Sequence, residues 1–171
     1  MKQNYVYFYN KNAAFYNAHI GAKRALKLAN FAFTWLFFIA YGALWTQVMN
    51  TEKFPVQDFA KVIFVPLLTL CFVTLLRLFI DRPRPYAENG AGIEPLVKKK
   101  STSKSFPSRH LACATALAMT FLPFYPIASG LLFLASFLLG YTRFALGLHY
   151  PSDLVAGWSL GTCLGFFIFI L

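Results

Sequence analysis

SFPSRHLACATALAMTFL, at residues 105–122, joins a short polar motif directly to an apolar run. Pro107 suits the first turn of a helix, because it lacks the N–H group that would be unpaired there. We therefore predict that a helix starts at Pro107 and that its first turn presents backbone N–H groups and the positive end of the helix dipole. Ser108 adds a hydroxyl, Arg109 a guanidinium, and His110 a group that ionises near neutral pH. This helix start is predicted to bind an anion beside a proton donor.

The composition around this motif excludes a soluble domain. Of the 171 residues, 58% are hydrophobic and only 13% are charged, against about 25% charged in a typical globular protein. The net charge of +10 does not favour nucleic acid as a partner, because the basic residues flank apolar runs. Membrane lipids and a phosphorylated lipid substrate are the nearer anionic partners. The chain is predicted to be one membrane domain over residues 1–171.

Five apolar runs predict an all-α integral membrane bundle with about five transmembrane helices. They occupy residues 28–49, 54–80, 107–122, 127–141 and 154–171. A bilayer core of about 30 Å needs about 20 helical residues, which the first run supplies. Pro66 is expected to kink the second run. Residues 1–27 mix aromatic and basic side chains, which favours an amphipathic N-terminal segment in the membrane interface over a partly ordered tail.

Alternation of these spans across a membrane brings distant segments together. The end of the second span, the start of the third, the end of the fourth and the start of the fifth all emerge on one face. Residues 77–85, 107–110 and 143–153 are therefore predicted to meet there, with residues 81–106 as the catalytic-side loop.

The first and third of these segments carry charges that suit an anion. Arg77 lies inside an apolar run, where a charge by default implies a partner or substrate, whereas Arg82 is left open between the site and snorkelling to the interface. Asp153 follows His149 by four residues. Its carboxylate is expected to hold one imidazole nitrogen and to turn the other towards the site. Ser152 is the predicted N-cap of the last span.

With these groups the chain resembles the type-2 phosphatidic acid phosphatase superfamily, which includes haloperoxidase-like enzymes. That family's signature runs Lys-x6-Arg-Pro, Pro-Ser-Gly-His and Ser-Arg-x5-His-x3-Asp. Here it reads Arg77-x6-Arg84-Pro85, Pro107-Ser108-Arg109-His110 and Thr142-Arg143-x5-His149-x3-Asp153. The resemblance covers roughly residues 54 to 171. It departs from the family at three positions, where Arg77 replaces Lys, Arg109 replaces Gly and Thr142 replaces Ser.

The resemblance implies a metal-independent phosphatase that uses no cofactor. His149 would attack phosphorus to form a phosphohistidine, and Asp153 would orient it. His110 would protonate the leaving group and then activate water. The remaining site residues would hold the phosphoryl oxygens as charge builds: Arg77, Arg84, Ser108, Arg109 and Arg143.

The expected substrate is a lipid phosphate monoester or diphosphate, because the site opens between membrane helices at headgroup level. Phosphatidic acid, phosphatidylglycerophosphate and a polyprenyl diphosphate all fit this description. A non-hydrolytic lipid-phosphate carrier or flippase is the alternative, although it would not need two histidines and an aspartate. A haloperoxidase holding vanadate is disfavoured by five spans. The lysines at 98–100 with Lys104 fit either a second phosphate site or a headgroup-facing loop.

The distribution of basic residues predicts which side of the cell membrane the site faces. The predicted catalytic side carries ten basic residues outside the proposed site, Lys2, Lys11, Lys23, Arg24, Lys27, Arg82, Lys98, Lys99, Lys100 and Lys104, whereas the other side carries only Lys53 and Lys61. The positive-inside bias therefore favours the cytoplasmic face. The family resemblance implies the opposite, because bacterial members usually work on the outer face.

Overall fold

The computed structural model describes residues 2–50, 56–97 and 101–170, and within these ranges the chain is a bundle of helices without strands. Lys53 and the lysines at 98–100 lie outside the described residues. The helices are α1 (Lys2–Ala18), α2 (Ile20–Asn50), α3 (Val56–Phe79), α4 (Arg109–Phe121), α5 (Pro126–Ala145) and α6 (Pro151–Gly165), which ends in a 3-10 turn at Phe166–Phe169. The all-α membrane bundle predicted from the sequence is confirmed.

Four segments of the described chain are long and apolar enough to cross a membrane. They are Ile20–Asn50, Asp58–Phe79, Pro126–Ala145 and Pro151–Phe169. With 13 residues, α4 is about 20 Å long, shorter than a bilayer core. It is instead the central helix, buried at ten positions. Pro66 lies inside α3, which continues on both sides of it.

The start of α4 differs from the prediction. The helix begins at Arg109 with Ser108 as its N-cap, so Pro107 precedes the helix instead of occupying its first turn. The first helical hydrogen bond runs from Ala112 N–H to the Ser108 carbonyl over 3.0 Å. The N–H groups of residues 109–111 therefore have no carbonyl partner within the helix, and they still point towards the site end of the bundle.

One side of α4 packs against α6 through glycines. A Cβ atom at Gly157 would lie 2.5 Å from the Ser108 carbonyl, and one at Gly161 would collide with the Ala112 carbonyl and the Thr115 hydroxyl. The two backbones therefore lie against each other, as small residues spaced four apart allow in membrane helices. We call this contact the glycine seam.

The other side of α4 faces a cavity of about 560 Å³, which we call the apolar groove. It lies between α2, α3, α4 and α5, and its walls are mainly aliphatic and aromatic. The lining residues are Thr34, Phe37, Phe38, Tyr41, Ile63, Pro66, Leu67, Leu70, Arg109, His110, Cys113, Ala114, Leu117 and Leu139. The groove thus runs from the middle of the bundle to the start of α4.

The predicted N-terminal segment 1–27 divides into two helices. α1 ends at Ala18, and α2 begins at Ile20 and continues into the membrane span. Buried side chains of α1 pack into a cluster with the loops that flank the site. Its buried members are Tyr5, Tyr9, Ala13, Leu26, Ile93, Leu96, Ala145, Leu146, Leu148 and Tyr150. α1 and the catalytic-side loop therefore lie at the same end of the bundle, and the location of α1 in the membrane interface stays a prediction.

Candidate active site

A helix-ending turn presents His149. Gly147 follows the end of α5 with φ +75°, a left-handed conformation that favours glycine. The Gly147 N–H bonds the Phe144 carbonyl over 2.9 Å, and the Leu148 N–H bonds the Arg143 carbonyl over 3.0 Å. These two bonds are the Schellman motif of helix ends. The chain reverses in this turn and so brings His149 back towards Arg143. Only 1% of the His149 surface is exposed.

Asp153 lies in the first turn of α6 and is fully buried. The N-cap of this helix is Tyr150, so the prediction of Ser152 was wrong, because Pro151 already occupies the first helical position, where proline is favoured. The Asp153 Oδ2 atom accepts the Tyr150 N–H over 3.0 Å, as in half of a capping box. It also accepts the Ser105 hydroxyl, which ties the catalytic-side loop to α6.

Arg82 supplies the charge partner of Asp153. Its Nη1 atom lies 2.7 Å from Asp153 Oδ1 and also donates to the Ser152 hydroxyl over 2.9 Å. The guanidinium lies over the Tyr150 ring, 4.3 Å from its centroid. Because a buried carboxylate without a partner is costly, Arg82 is part of what allows Asp153 to be charged here.

The predicted hydrogen bond between His149 and Asp153 is not formed in this structure. His149 Nδ1 and Asp153 Oδ2 are 3.6 Å apart, beyond normal hydrogen-bond distance, and His149 Nδ1 has no other partner among the described residues. Burial lowers the pKa of His149, and the nearby Asp153 carboxylate opposes this only in part. The imidazole is therefore neutral at pH 7 and able to act as a nucleophile.

Three arginines from different segments converge on the same place. Arg77 donates from Nη1 to the Pro107 carbonyl over 3.0 Å, which ties α3 to the start of α4. Arg84 Nη1 lies 3.3 Å from the Leu148 carbonyl, next to His149. Arg143 is buried, and its Nη2 donates to the Thr34 hydroxyl over 3.1 Å. Each guanidinium carries five N–H donors, so donors remain on all three.

These side chains surround a polar cavity of about 100 Å³. Its lining consists of Arg77, Arg84, Tyr86, Ser101, Arg109, His110, Arg143, Leu148 and His149. Three buried polar atoms at or beside it lack a hydrogen-bond partner within the described part of the chain: Ser108 Oγ, Arg143 Nε and His149 Nδ1. Since buried polar groups are normally paired, the Ser108 hydroxyl and the Arg143 Nε–H group can donate to an anion bound here.

Arg109 and His110 line both the polar cavity and the apolar groove. Both are exposed into this space, and no hydrogen bond or ion pair joins either side chain to another described residue. The structure therefore brings all eight predicted site residues to one end of the bundle. Thr142, by contrast, donates to the Leu139 carbonyl over 2.8 Å and contributes to helix packing.

Several residues of the site were missed in the sequence. Arg82 was left open, since an arginine at a membrane boundary is often only snorkelling. Ser105 opens the polar motif but was given no role, and Thr34 lies in no motif; only the fold shows that they contact Asp153 and Arg143. The glycine seam did have a signal, because Gly157, Gly161 and Gly165 are spaced four apart.

Together the fold and the site define a class of protein: a multi-pass membrane helical bundle with a basic, histidine-containing pocket at one end. A family model for the PAP2 superfamily matches residues 58–171, more than half of the chain, and the chain belongs to that superfamily. It is also 35% identical over 72 residues to an undecaprenyl-diphosphatase of Sulfolobus acidocaldarius. That match spans 42% of this chain and 35% of the relative, so the chain covers about a third of the relative's length.

Two solved structures are similar to this chain. The crystal structure of LpxE from Aquifex aeolicus superposes with a TM-score of 0.64 at 24% identity, covering 89% of this chain and 94% of that chain. A transmembrane PAP2-type phosphatidylglycerolphosphate phosphatase from Bacillus subtilis gives a TM-score of 0.46 at 21% identity, with 98% and 93% covered. The first of these supports the same helical fold.

Proposed function

We propose that the protein is a phosphatase that hydrolyses the phosphate monoester or diphosphate of a membrane lipid. One observation carries this proposal: the polar cavity and the apolar groove share Arg109 and His110. A phosphoryl group held in the polar cavity has its leaving group at this junction, and a lipid chain continues into the groove. A water-soluble phosphate ester has no apolar chain to place in this groove of about 560 Å³.

The arginines bind the phosphoryl group. Each of the three arginines donates one or more hydrogen bonds to the protein and has further N–H groups that can donate into the cavity: Arg77, Arg84 and Arg143. Charge-assisted hydrogen bonds from guanidinium to phosphate are short and directional. The unpaired Ser108 hydroxyl and the N–H groups at the start of α4 add neutral donors. As negative charge builds on the oxygens in the transition state, these fixed donors stabilise it.

His149 is the nucleophile of this mechanism. Its neutral imidazole attacks phosphorus and forms a phosphohistidine, and its ring becomes positively charged. Asp153 lies 3.6 Å away and stabilises that charge as the His149 Nδ1–H approaches Oδ2. Catalytic hydrogen bonds often tighten only once substrate is bound.

His110 is the acid and base. It lies at the junction of the two cavities, where the leaving oxygen of a lipid phosphate is placed. The negative charge of the bound phosphoryl group favours the protonated imidazole. That ring gives its proton to the leaving oxygen in the first step, and in the second the now neutral ring takes a proton from the water that attacks the phosphohistidine.

The donor set supports chemistry without a metal or another cofactor. Three arginines line the polar cavity, and they supply the positive charge that Mg²⁺ supplies in other phosphoryl-transfer sites. In residues 2–50, 56–97 and 101–170, no three His, Cys, Asp or Glu side chains are grouped to hold a metal ion.

The substrate belongs to the class of lipids that carry a terminal phosphate or diphosphate. Phosphatidic acid, phosphatidylglycerophosphate and a polyprenyl diphosphate meet this condition, and the name of the Sulfolobus relative adds weight to the last. Arg109 supports the same choice, because a diphosphate places a second anionic group at the junction that Arg109 lines.

The test is phosphate release from a panel of these lipids by the purified full chain in detergent, with and without EDTA. We expect release from at least one lipid at an unchanged rate in EDTA. Activity lost in EDTA and restored by Mg²⁺ would contradict the metal-free mechanism. Lipid transfer between vesicles without phosphate release would contradict hydrolysis and support a carrier.

For the face of the membrane, we infer that the site opens to the cytoplasm. The contacts between α1 and the site loops support a common side for the N-terminal lysines and the site, and the charge bias then favours the cytoplasmic face. A thiol reagent that does not cross membranes tests this in a variant without Cys71, Cys113 and Cys163. Lys11→Cys on α1 should label only after lysis, and Asn50→Cys at the far end of α2 should label in intact cells. The reverse pattern would place the site outside.

A further inference from the structure

α1 precedes the residues that match the family model, yet it contacts both loops of the candidate site. Tyr9 is 1% exposed, and its hydroxyl donates to the Glu94 carbonyl over 2.8 Å. Burial raises the pKa of Tyr9 to about 12, so the phenol keeps its proton. The Tyr9 side chain is therefore fixed at both its ring and its hydroxyl.

The Tyr9 ring lies against the turn that presents His149. A Cβ atom at Gly147 would lie 2.8 Å from the Tyr9 hydroxyl oxygen and 2.9 Å from the ring. Gly147 is two residues before His149 in the Schellman turn, and the neighbouring Leu146 carbonyl accepts the Leu96 N–H over 3.2 Å. Tyr9 thus joins the turn before His149 to the segment around Glu94.

A second aromatic contact runs in parallel from the same helix. The rings of Tyr5 and Tyr150 have centroids 5.0 Å apart, and Tyr150 in turn lies beneath the guanidinium of Arg82, the partner of Asp153. α1 therefore contacts the chain on both sides of His149, at Gly147 through Tyr9 and at Tyr150 through Tyr5.

We propose that Tyr9 is a positioning residue, which holds the His149 turn in the geometry that phosphoryl transfer needs. This inference rests on the proposed function, because it assumes that His149 attacks phosphorus. Tyr9 is not among the residues that line the polar cavity, so it acts through the backbone of the turn and not on the substrate. Arg77 and Arg143 are held by contacts away from this turn, and only Arg84 meets it, at the Leu148 carbonyl, so loss of Tyr9 should lower kcat more than it raises KM.

The test compares Tyr9→Ala with Phe8→Ala in the full chain, using the lipid that the wild type hydrolyses best. Phe8 is the next residue on α1 and is 62% exposed, so it controls for loss of an aromatic ring. We expect kcat to fall about 10- to 100-fold in Tyr9→Ala, as for a catalytic group displaced by about 1 Å, with KM close to that of the wild type. Tyr9→Phe keeps the ring and should recover most of the lost kcat, and Phe8→Ala should behave as the wild type.

An unchanged kcat in folded Tyr9→Ala would overturn the proposal, as would a rise in KM that equals the loss in kcat. If Tyr9→Ala does not fold, Tyr9→Leu keeps an apolar side chain without the ring, and an unchanged kcat there overturns the proposal equally. Failure of the proposed function looks different, because the wild type would then release no phosphate from any lipid.

Discussion

On one side α4 is sealed to α6 by the glycine seam, whereas on the other it lines an open groove of about 560 Å³. The sealed side holds Ser108 against Gly157, next to Asp153. The open side holds Arg109 and His110. Helix α4 thus separates two parts of the site. Close backbone contacts with α6 fix one part, and the apolar groove borders the other. We infer that the sealed side fixes Asp153 and the His149 beside it, whereas the open side selects the lipid and places its leaving oxygen against His110.

The strongest test of this division is His149→Ala. Turnover should fall by more than about 1,000-fold, because the proposed nucleophile is lost, while the lipid should still bind in the groove. Phosphate release and equilibrium binding of the same lipid, measured on folded protein, separate the two effects. Near-normal turnover would show that another residue attacks phosphorus.

The seam itself can be broken at Gly161. Gly161→Ala should lower the free energy of unfolding by about 1–3 kcal/mol, because the new methyl group collides with Ala112 and Thr115. Gly130 is the matched control: it lies in α5 with nothing within 4 Å of an added Cβ, so Gly130→Ala should be neutral or stabilising by up to about 1 kcal/mol. Unfolding in detergent, followed by far-UV circular dichroism, gives both values. Equal stability of the two variants would mean that α4 and α6 do not need close contact.

On the open side, Cys113→Phe should narrow the groove. We expect KM to rise about tenfold for a long-chain lipid phosphate, a cost at the lower end of those for overpacking, and to stay constant for a short-chain analogue. Cys163→Phe on the exposed surface of α6 is the control. Equal effects on long and short chains would contradict the groove as the place of the lipid chain.

The smallest effect is expected from Arg109→Ala. The ratio of kcat/KM for a polyprenyl diphosphate to that for the monophosphate should fall about two- to fivefold, the range for an exposed ionic contact. The reason is that only the diphosphate places a second charge at the junction. Lys104→Ala removes an exposed cation outside the cavity lining and should leave the ratio unchanged. An equal loss with both substrates would show that Arg109 acts only on the phosphoryl group itself.

The sequence predicted the membrane bundle and the meeting of the three motif segments, because alternation of spans fixes which helix ends share a face. It did not predict the contacts between side chains that no motif links. Arg82 pairs with Asp153 across 71 positions, and such a pair leaves no local pattern. The expected His149–Asp153 hydrogen bond is absent because the two atoms lie 3.6 Å apart, and spacing along the chain does not fix that distance. The start of α4 was misplaced because Pro107 fits both the first turn of a helix and the position before its cap.

Asp153 caps α6, pairs with Arg82 and lies beside His149. Because one residue makes all three contacts, the order of synthesis decides when the site is complete. α6 follows the other helices along the chain, so Asp153 is synthesised after every arginine of the site. Until then Arg82 lacks its counter-ion and His149 its neighbour. A chain that ends before residue 153 carries every arginine of the site but lacks the carboxylate beside His149. Under the proposed mechanism we therefore expect phosphate release only after α6 has packed against α4, so that activity reports completion of the bundle.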